Sequence, residues 1–432
     1  MDDKQPMVLN SDFQQALDLM EKTQRNLFVT GRAGTGKSTL LQLFRNTTKK
    51  KTIVLAPTGV AALNVKGQTI HSFFGFPPRL IDRREIKKRR MRKLYQSMEV
   101  LIIDEISMVR ADMLDNIDHF LRINREDRRP FGGVQVLLFG DLFQLPPVVA
   151  GPSEQQYFTT YYKNPYFFSA HVLQEEGFEM EMLELRQVFR QEQRHFLRLL
   201  DAIRLNRADE GDLEELNRRY MPDFEPEDFF ITLSARNATV DAINQRELSK
   251  LQTSPRYYTA FVSGEFNPQL FPTDLRLELK EQAQVIFLKN DPERRYVNGT
   301  IGKITRLGPE SIHVEALKPD GRLEEIEVER SEWEILRYNM KPGVPDQIEA
   351  EVIGTFEQYP LRLAWAITIH KSQGKTFDKV VIDLGRGAFE HGQTYVALSR
   401  CRTLEGIVLK EKLRPRDVLV DERVVEFYEQ QL

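Results

Sequence analysis

A chain of 432 residues with 41% hydrophobic content is long enough for about two to three domains, each around its own core. Its 61 Lys and Arg nearly balance 64 Asp and Glu, a net charge of −3, which excludes a protein that holds nucleic acid through an overall basic field; any such site must be a local groove. One cysteine, Cys401, excludes an internal disulfide framework and a cysteine-rich zinc site.

Residues 1–10 lack a leader pattern, and no run of about 18 apolar residues follows. The expectation is a soluble protein, cytoplasmic or nuclear, with no membrane partner. In the first third, the β-branched or aliphatic runs 27–30, 52–55, 100–103 and 134–139 alternate with helical patterns. Runs apolar on both faces suit central strands of a parallel sheet flanked by helices. Basic residues crowd positions 83–93, which read as one helix with Ile86, Met91 and Leu94 as its sparse apolar side. A solvated face and a nucleic-acid contact are both open for it. A second α/β pattern begins near Ile231 and resumes at Ala364. Between them the texture changes: QVIFLKND, GTIGKITRL, SIHVEAL and LEEIEVER are short strand-like stretches separated by Gly, Pro, Asn and Asp. That spacing belongs to a small antiparallel barrel or sheet. The expected organisation is a first α/β domain over 1–190 with a small insertion at about 75–98. A second α/β domain is split over 191–274 and 359–432, and a barrel-like β insertion fills 275–358.

The segment GRAGTGKS at 31–38 fits G-x-x-x-x-G-K-[ST] and sits between an apolar strand and a helical pattern, the context this motif requires. Glycines allow successive N–H groups to curl around a phosphate, and the helix N-terminus adds its dipole. The expected nucleotide contacts are Gly31, Ala33, Gly34, Thr35, Gly36, Lys37, Ser38 and Thr39. Lys37 supplies a charge to the β- and γ-phosphates, and Ser38 a ligand to Mg²⁺. The second half of the site is VLIIDEISMV, where Asp104 and Glu105 fall at the carboxyl end of a neighbouring strand, the place where open α/β sheets put ligands. Asp104 is placed to hold Mg²⁺. Glu105 is placed to orient and deprotonate the attacking water, since phosphoryl transfer needs positioning more than covalent chemistry. These residues describe a nucleoside triphosphatase.

Further motifs narrow the class. APTGVAALNVKGQTIHSFFGF follows the second strand, LLFGDLFQLPPVV closes the fourth, and LELRQVFRQ comes next. IHKSQGKTF and QTYVALSRCRT stand in the second domain. This set and its order resemble superfamily-1 DNA helicases, above all the Pif-type (petite integration frequency) family of the 5′→3′ branch, with RecD-like relatives. The resemblance runs from about residue 9 to 409. It implies two tandem RecA-like P-loop domains, ATP and Mg²⁺ as cofactors, and single-stranded, tailed or forked DNA as partner. Quadruplexes and RNA–DNA hybrids become plausible partners, with a monomer as the unit.

Roles follow from the resemblance. Arg400 in ALSR looks like the arginine finger of the second lobe, and Arg190 in VFRQ like a second γ-phosphate arginine. Gln144 resembles the γ-phosphate sensor, and Gln373 and Gly374 face the same cleft. One departure concerns the base: Phe13 stands where such helicases carry an adenine-reading glutamine, and Gln14, one residue on, is the substitute expectation. For the strand, phosphates need donors and bases need flat surfaces. Thr58, Gly59 and Val60 are expected at a phosphate, His71, Phe73 and Phe74 as stacking surfaces, and Pro146 and Pro147 as a wedge. At least one of Phe73 and Phe74 should be buried. On the second lobe Arg236, Asn237, Thr368, His370 and Lys371 are expected at the backbone. A nucleotide-switched binding ATPase that does not translocate is the alternative; a small-molecule kinase fits less well, because the chain shows no acceptor pocket.

Overall fold

The protein was analysed as a computed structural model that describes residues 10–191, 193–318, 321–344 and 346–431. Residues 1–9 of the N-terminal segment, expected to carry no leader pattern, lie outside the described residues. No described helix is long and apolar enough to cross a membrane.

The first lobe is an all-parallel sheet made of β1 (Asn26–Gly31), β2 (Thr52–Ala56), β3 (Gln68–Thr69), β4 (Val100–Ile103), β5 (Gln135–Phe139) and β6 (Met180–Leu185). Its order is β3-β2-β4-β5-β1-β6. The apolar runs of the sequence are these strands, buried on both faces because helices cover both sides. The helices are α1 (Ser11–Lys22), α2 (Lys37–Thr47), α3 (Gly59–Asn64), α4 (Ile70–Phe74), α5 (Lys93–Ser97), α6 (Ala111–Arg125) and α7 (Gly151–Tyr161). One consequence positions the whole site. Strands β4, β5 and β1 are neighbours, so the phosphate loop after β1, Asp141 after β5 and Asp104 after β4 leave adjacent strand ends.

The basic stretch 83–93 is not a helix. A short 3-10 turn, Arg83–Glu85, is followed by extended chain, and α5 begins only at Lys93. The apolar side is too sparse to dock a helix: Ile86 is buried but Met91 is fully exposed. Arg89 instead turns inward, donating to the Phe74 carbonyl at 2.7 Å, while Lys88 and Arg92 pair with Glu126.

Helices α8 (Arg194–Arg204) and α9 (Glu210–Asn217) lead into the second lobe. Its first strand is β7 (Ile231–Ser234), followed by α10 (Asn237–Lys250). Antiparallel pairing then runs through β8 (Arg256–Thr259), β9 (Phe261–Gly264), β10 (Arg276–Leu279), β11 (Gln284–Phe287), β12 (Ile301–Leu307), β13 (Ile312–Leu317), β14 (Leu323–Val328), β15 (Ser331–Met340), β16 (Ile348–Gln358) and β17 (Leu361–Leu363). This mainly-β body reaches beyond both ends of the 275–358 segment marked by texture. The second lobe closes with β18 (Ala366–Thr368), α11 (Ile369–Ser372), β19 (Val380–Asp383), α12 (Gln393–Leu398), β20 (Ile407–Leu409) and α13 (Glu422–Gln431). Its parallel order is β18-β7-β19-β20.

The long hairpin β15–β16 leans across onto the first lobe. The Tyr338 hydroxyl accepts from the Val54 N–H at 3.2 Å, and Asp346 pairs with Lys51 at 2.6 Å and accepts from the Ser97 hydroxyl at 2.5 Å. The insertion thus belongs to one lobe by sequence and touches both.

Candidate nucleotide cleft and strand-binding surface

The phosphate loop is shaped by its glycines. Gly34 and Gly36 have φ of 84° and 86°, a region open to glycine at little cost, and a Cβ on Gly34 would lie 2.5 Å from Cβ of Arg190. The absent side chain is what lets Arg190 approach the loop. The backbone fixes this contact: the Phe189 N–H donates to the Gly34 carbonyl at 2.9 Å.

A cleft of about 840 Å³ opens between the lobes. It is lined by Ala33, Gly34, Gly36, Lys37, Ser38, Thr39, Asp104, Glu105, Gln144, Arg190, Gly374 and Arg400, so residues far apart in the chain meet here. The Lys37 ammonium rests on the Gly31 and Arg32 carbonyls at 2.7 and 3.0 Å. Gln373 donates to Gln144 at 3.0 Å and to Glu105 at 3.4 Å across the lobe boundary. Thr35 is fully buried and spends its hydroxyl on the Arg32 carbonyl at 3.0 Å, so it shapes the loop from behind.

Charge is concentrated in this cleft at a cost. Burial, then the neighbouring Arg400, holds Arg190 well below its ordinary pKa; burial alone dominates at Lys37, and it pushes Arg400 down to about 10. The carboxyls move the other way. Burial raises Glu105 despite Lys37 and Arg400, and burial followed by the Glu105 charge raises Asp104. A cleft that disfavours its own cations and its own carboxylates is built to receive both an anion and a cation. Glu105 itself sits at φ 50°, ψ 44°, a left-handed conformation that aims its side chain off the strand end and into the cleft.

The base end differs from expectation. Gln14 lies on the exposed side of α1, donates to Asp18 at 3.1 Å and does not reach the cleft. Helical geometry explains it: Phe13 takes the inward position, packed under Gly36 and edge-on to Phe189 with ring centroids 6.3 Å apart. What lines the cleft there is Asn10, which accepts from the Phe13 N–H at 2.8 Å, and Gln187, which accepts from the Asn10 amide at 3.0 Å, beside the exposed ring of Phe189. Sequence reasoning missed all three. The cue available was their flanking of two motifs, Asn10 capping α1 and Gln187 and Phe189 preceding Arg190.

The residues expected at the strand are less gathered. Thr58 caps α3, its hydroxyl accepting from the Ala61 N–H at 3.2 Å, and Val60 is 61% exposed. Gly59 is covered: a Cβ there would run into the Leu270 side chain of the insertion. His71 is half-buried, and its pKa is lowered by burial and by Arg110. Phe73 is no stacking surface. It is 6% exposed and packs edge-on against Phe74, Tyr95 and Tyr338, because α4 is a single short turn whose aromatic side faces the core; Phe74 is buried with it. Pro146 is half-buried and Pro147 buried. On the second lobe Arg236 and Asn237 are exposed at the start of α10. Thr368 is buried, capping α11 through the Lys371 N–H at 3.3 Å, while His370 pairs with Glu390 at 3.0 Å and Lys371 is exposed.

The family model described as PIF1-like helicase matches residues 3–213. The ATP-dependent DNA helicase Pif1 of Bdellovibrio bacteriovorus is 35% identical over 427 residues, 96% of this chain and 90% of that protein. The chain belongs to the PIF1-like helicase family. It spans about three-fifths of some longer members, 61% of the ATP-dependent DNA helicase PIF1 of Danio rerio, at 35% identity over 94% of this chain. Among solved members, Bacteroides sp Pif1 in complex with ADP-AlF4 superposes with a TM-score of 0.90 at 39% identity, covering 98% of this chain and 97% of that one. The same Bacteroides protein bound to ssDNA scores 0.67 at the same identity and coverage.

Proposed function

We propose that this chain is an ATP-dependent DNA helicase that translocates 5′→3′ on single-stranded DNA and unwinds duplex or structured DNA. The observation that carries this reading is the interlobe cleft, where Lys37, Arg190 and Arg400 meet Asp104 and Glu105 with groups from both lobes. A polyphosphate there would offset the burial that disfavours the charged forms of the three cations.

The donor set fits Mg²⁺. Ser38 and Asp104 line the cleft and offer the hard oxygens that Mg²⁺ takes alongside waters and phosphate oxygens. When bound, Mg²⁺ neutralises charge on the phosphates. Glu105 orients and deprotonates the attacking water, while Arg190 and Arg400 offset charge developing on the γ-phosphate. Gln144 and Gln373, bonded to each other across the boundary, report the nucleotide state to the second lobe. Asn10, Gln187 and Phe189 are the groups we assign to the base, in place of Gln14.

Alternating grip by Thr58, Gly59 and Val60 on one lobe and Arg236, Asn237 and Lys371 on the other converts lobe closure into steps. Each step opposes about 1.4 kcal/mol of duplex stacking, well within one hydrolysis. Bacteroides Pif1 has been solved bound to ssDNA, and a further Pif1 structure similar to this chain concerns unwinding at forked dsDNA by two coordinating Pif1 helicases. For this chain we extend the substrates to tailed and forked duplexes, quadruplexes and RNA–DNA hybrids, and take a monomer as the working unit. We take residues 1–190, then 191–274 with 359–432, as the two motor domains around the inserted 275–358 unit, with β8, β9 and β17 at its borders paired into the inserted β body. The place of work is the compartment that holds the genome, the nucleoid of a bacterium or the nucleus of a eukaryote.

Unwinding of duplexes carrying a 5′ or a 3′ tail tests the reading. Only the 5′-tailed duplex should open, with ATPase stimulated many-fold by single-stranded DNA and lost in Lys37→Ala. Opening of the 3′-tailed duplex alone would overturn the polarity. Hydrolysis without opening of either would leave a nucleotide-switched binding ATPase.

A further inference from the structure

Tyr395, in the second-lobe motif but with no role so far, is nearly fully buried at the heart of the interlobe contact. Its hydroxyl accepts from the Ala33 N–H of the phosphate loop at 3.1 Å and donates to Asp141 Oδ2 at 3.4 Å. Asp141 Oδ2 also accepts from the Gln144 amide at 3.1 Å, and Gln144 in turn accepts from Gln373, which reaches Glu105. The first-lobe pair Asp141–Gln144 is therefore gripped at both ends by second-lobe side chains.

The hub is anchored from a third direction. Arg204 of α8, completely buried, donates to Asp141 Oδ1 at 3.3 Å and lies over the rings of Phe143 and Tyr428 at 4.3 and 5.1 Å. Burial would raise the Asp141 pKa, but Arg204, Lys37 and its hydrogen bonds hold it low, so the hub is a carboxylate. Helix α12 starts at Gly392, φ 74°, where a Cβ would lie 2.5 Å from the Phe143 carbonyl oxygen; the helix is pressed directly onto the Asp141 turn. Tyr395 stands in α12 and Arg400 just beyond its end at Leu398, so one short segment carries both.

We propose that Tyr395 is a positioning residue that makes γ-phosphate chemistry conditional on lobe closure. The segment that delivers Arg400 also fixes the phosphate loop at Ala33 and sets Gln144 through Asp141. The inference rests on reading the cleft as the ATP site. It assigns to Tyr395 no contact with the nucleotide; it acts through Ala33, Asp141 and Gln144.

The test is steady-state ATP hydrolysis by the full chain with saturating single-stranded DNA. Tyr395→Phe keeps the ring and removes one buried hydroxyl. It should lower kcat by about tenfold or more, the scale of a lost buried hydrogen bond, with KM for ATP within about twofold of wild type. A merely structural role predicts instead a lower melting midpoint with kcat per folded molecule unchanged, and that result would overturn the proposal. Asp141→Asn, which keeps the shape of the hub and weakens it as acceptor, should reproduce the kcat loss, and serves should Tyr395→Phe not fold. The double variant Tyr395→Phe with Gln144→Ala should lose no more than the stronger single change; independent, multiplying losses would sink the relay. Absence of hydrolysis in the wild type would instead remove the reading of the cleft itself.

Discussion

The candidate nucleotide cleft and the candidate strand-binding surface both draw on carboxyl ends of the first-lobe strands, the cleft on β1, β4 and β5 and the surface mainly on β2 and β3, yet they are organised differently. In the cleft the charged groups are buried and their partners come from both lobes: Gln373 on Gln144, Arg190 on the Ser399 carbonyl at 3.1 Å, Tyr395 on Asp141. Along the strand surface the candidate groups cap short helices, stand in solvent, or lie under the insertion, as Gly59 does beneath Leu270. The cleft groups already touch partners from the other lobe, whereas Gly59 lies against Leu270 of the insertion.

The contrast can be broken experimentally, starting where the effect is largest. Arg400→Ala should lower ATP turnover by about 10³–10⁵-fold, the worth of a well-placed arginine finger, while the fold persists; a loss below tenfold would mean the cleft is not organised around it. Phe73→Ala should cost about 3–5 kcal/mol in a denaturant titration, the scale of a deleted core aromatic, and leave the affinity of the folded protein for single-stranded DNA within twofold. A selective loss of DNA affinity would return Phe73 to the groove. Leu270→Ser uncovers Gly59 and should raise affinity for single-stranded DNA by about fivefold, or about 1 kcal/mol, read by fluorescence anisotropy. Weaker binding would make Leu270 part of the grip rather than its cover. At the small end, Gln187→Ala should raise KM for ATP several-fold and Gln14→Ala should leave it unchanged; the reverse pattern would restore Gln14 to the base.

The sequence made the strands and the cleft legible because both are encoded locally. Apolar runs identify buried parallel strands, and loop 31–38 and Asp104–Glu105 occupy strand ends that the topology brings together. What it could not show were features decided by direction. Whether residue 13 or 14 faces the cleft depends on the phase of α1, and a one-residue offset moves a side chain by about 100° around a helix. Phe73, a flat ring expected at the bases, is instead turned into the core with Phe74, because the segment is a single helical turn with its aromatic side inward. The basic run at 83–93 had helix-forming residues without the apolar stripe that would dock a helix. Tyr395 stood inside a motif, and only the fold brings its hydroxyl to Ala33 and Asp141.

The one thiol of the chain offers a spectroscopic opening. Cys401 is wholly buried against the Asp378 carbonyl, and burial pushes its pKa up to about 12, so it carries little thiolate at neutral pH. Maleimide dyes would pass it by. With the native background silent, Gln42→Cys on α2 of one lobe and Gln245→Cys on α10 of the other would accept a donor and an acceptor at two exposed positions outside the grip. Energy transfer between them would then time the opening and closing of single molecules as they travel, without removing any residue the wild-type chain contributes to its core.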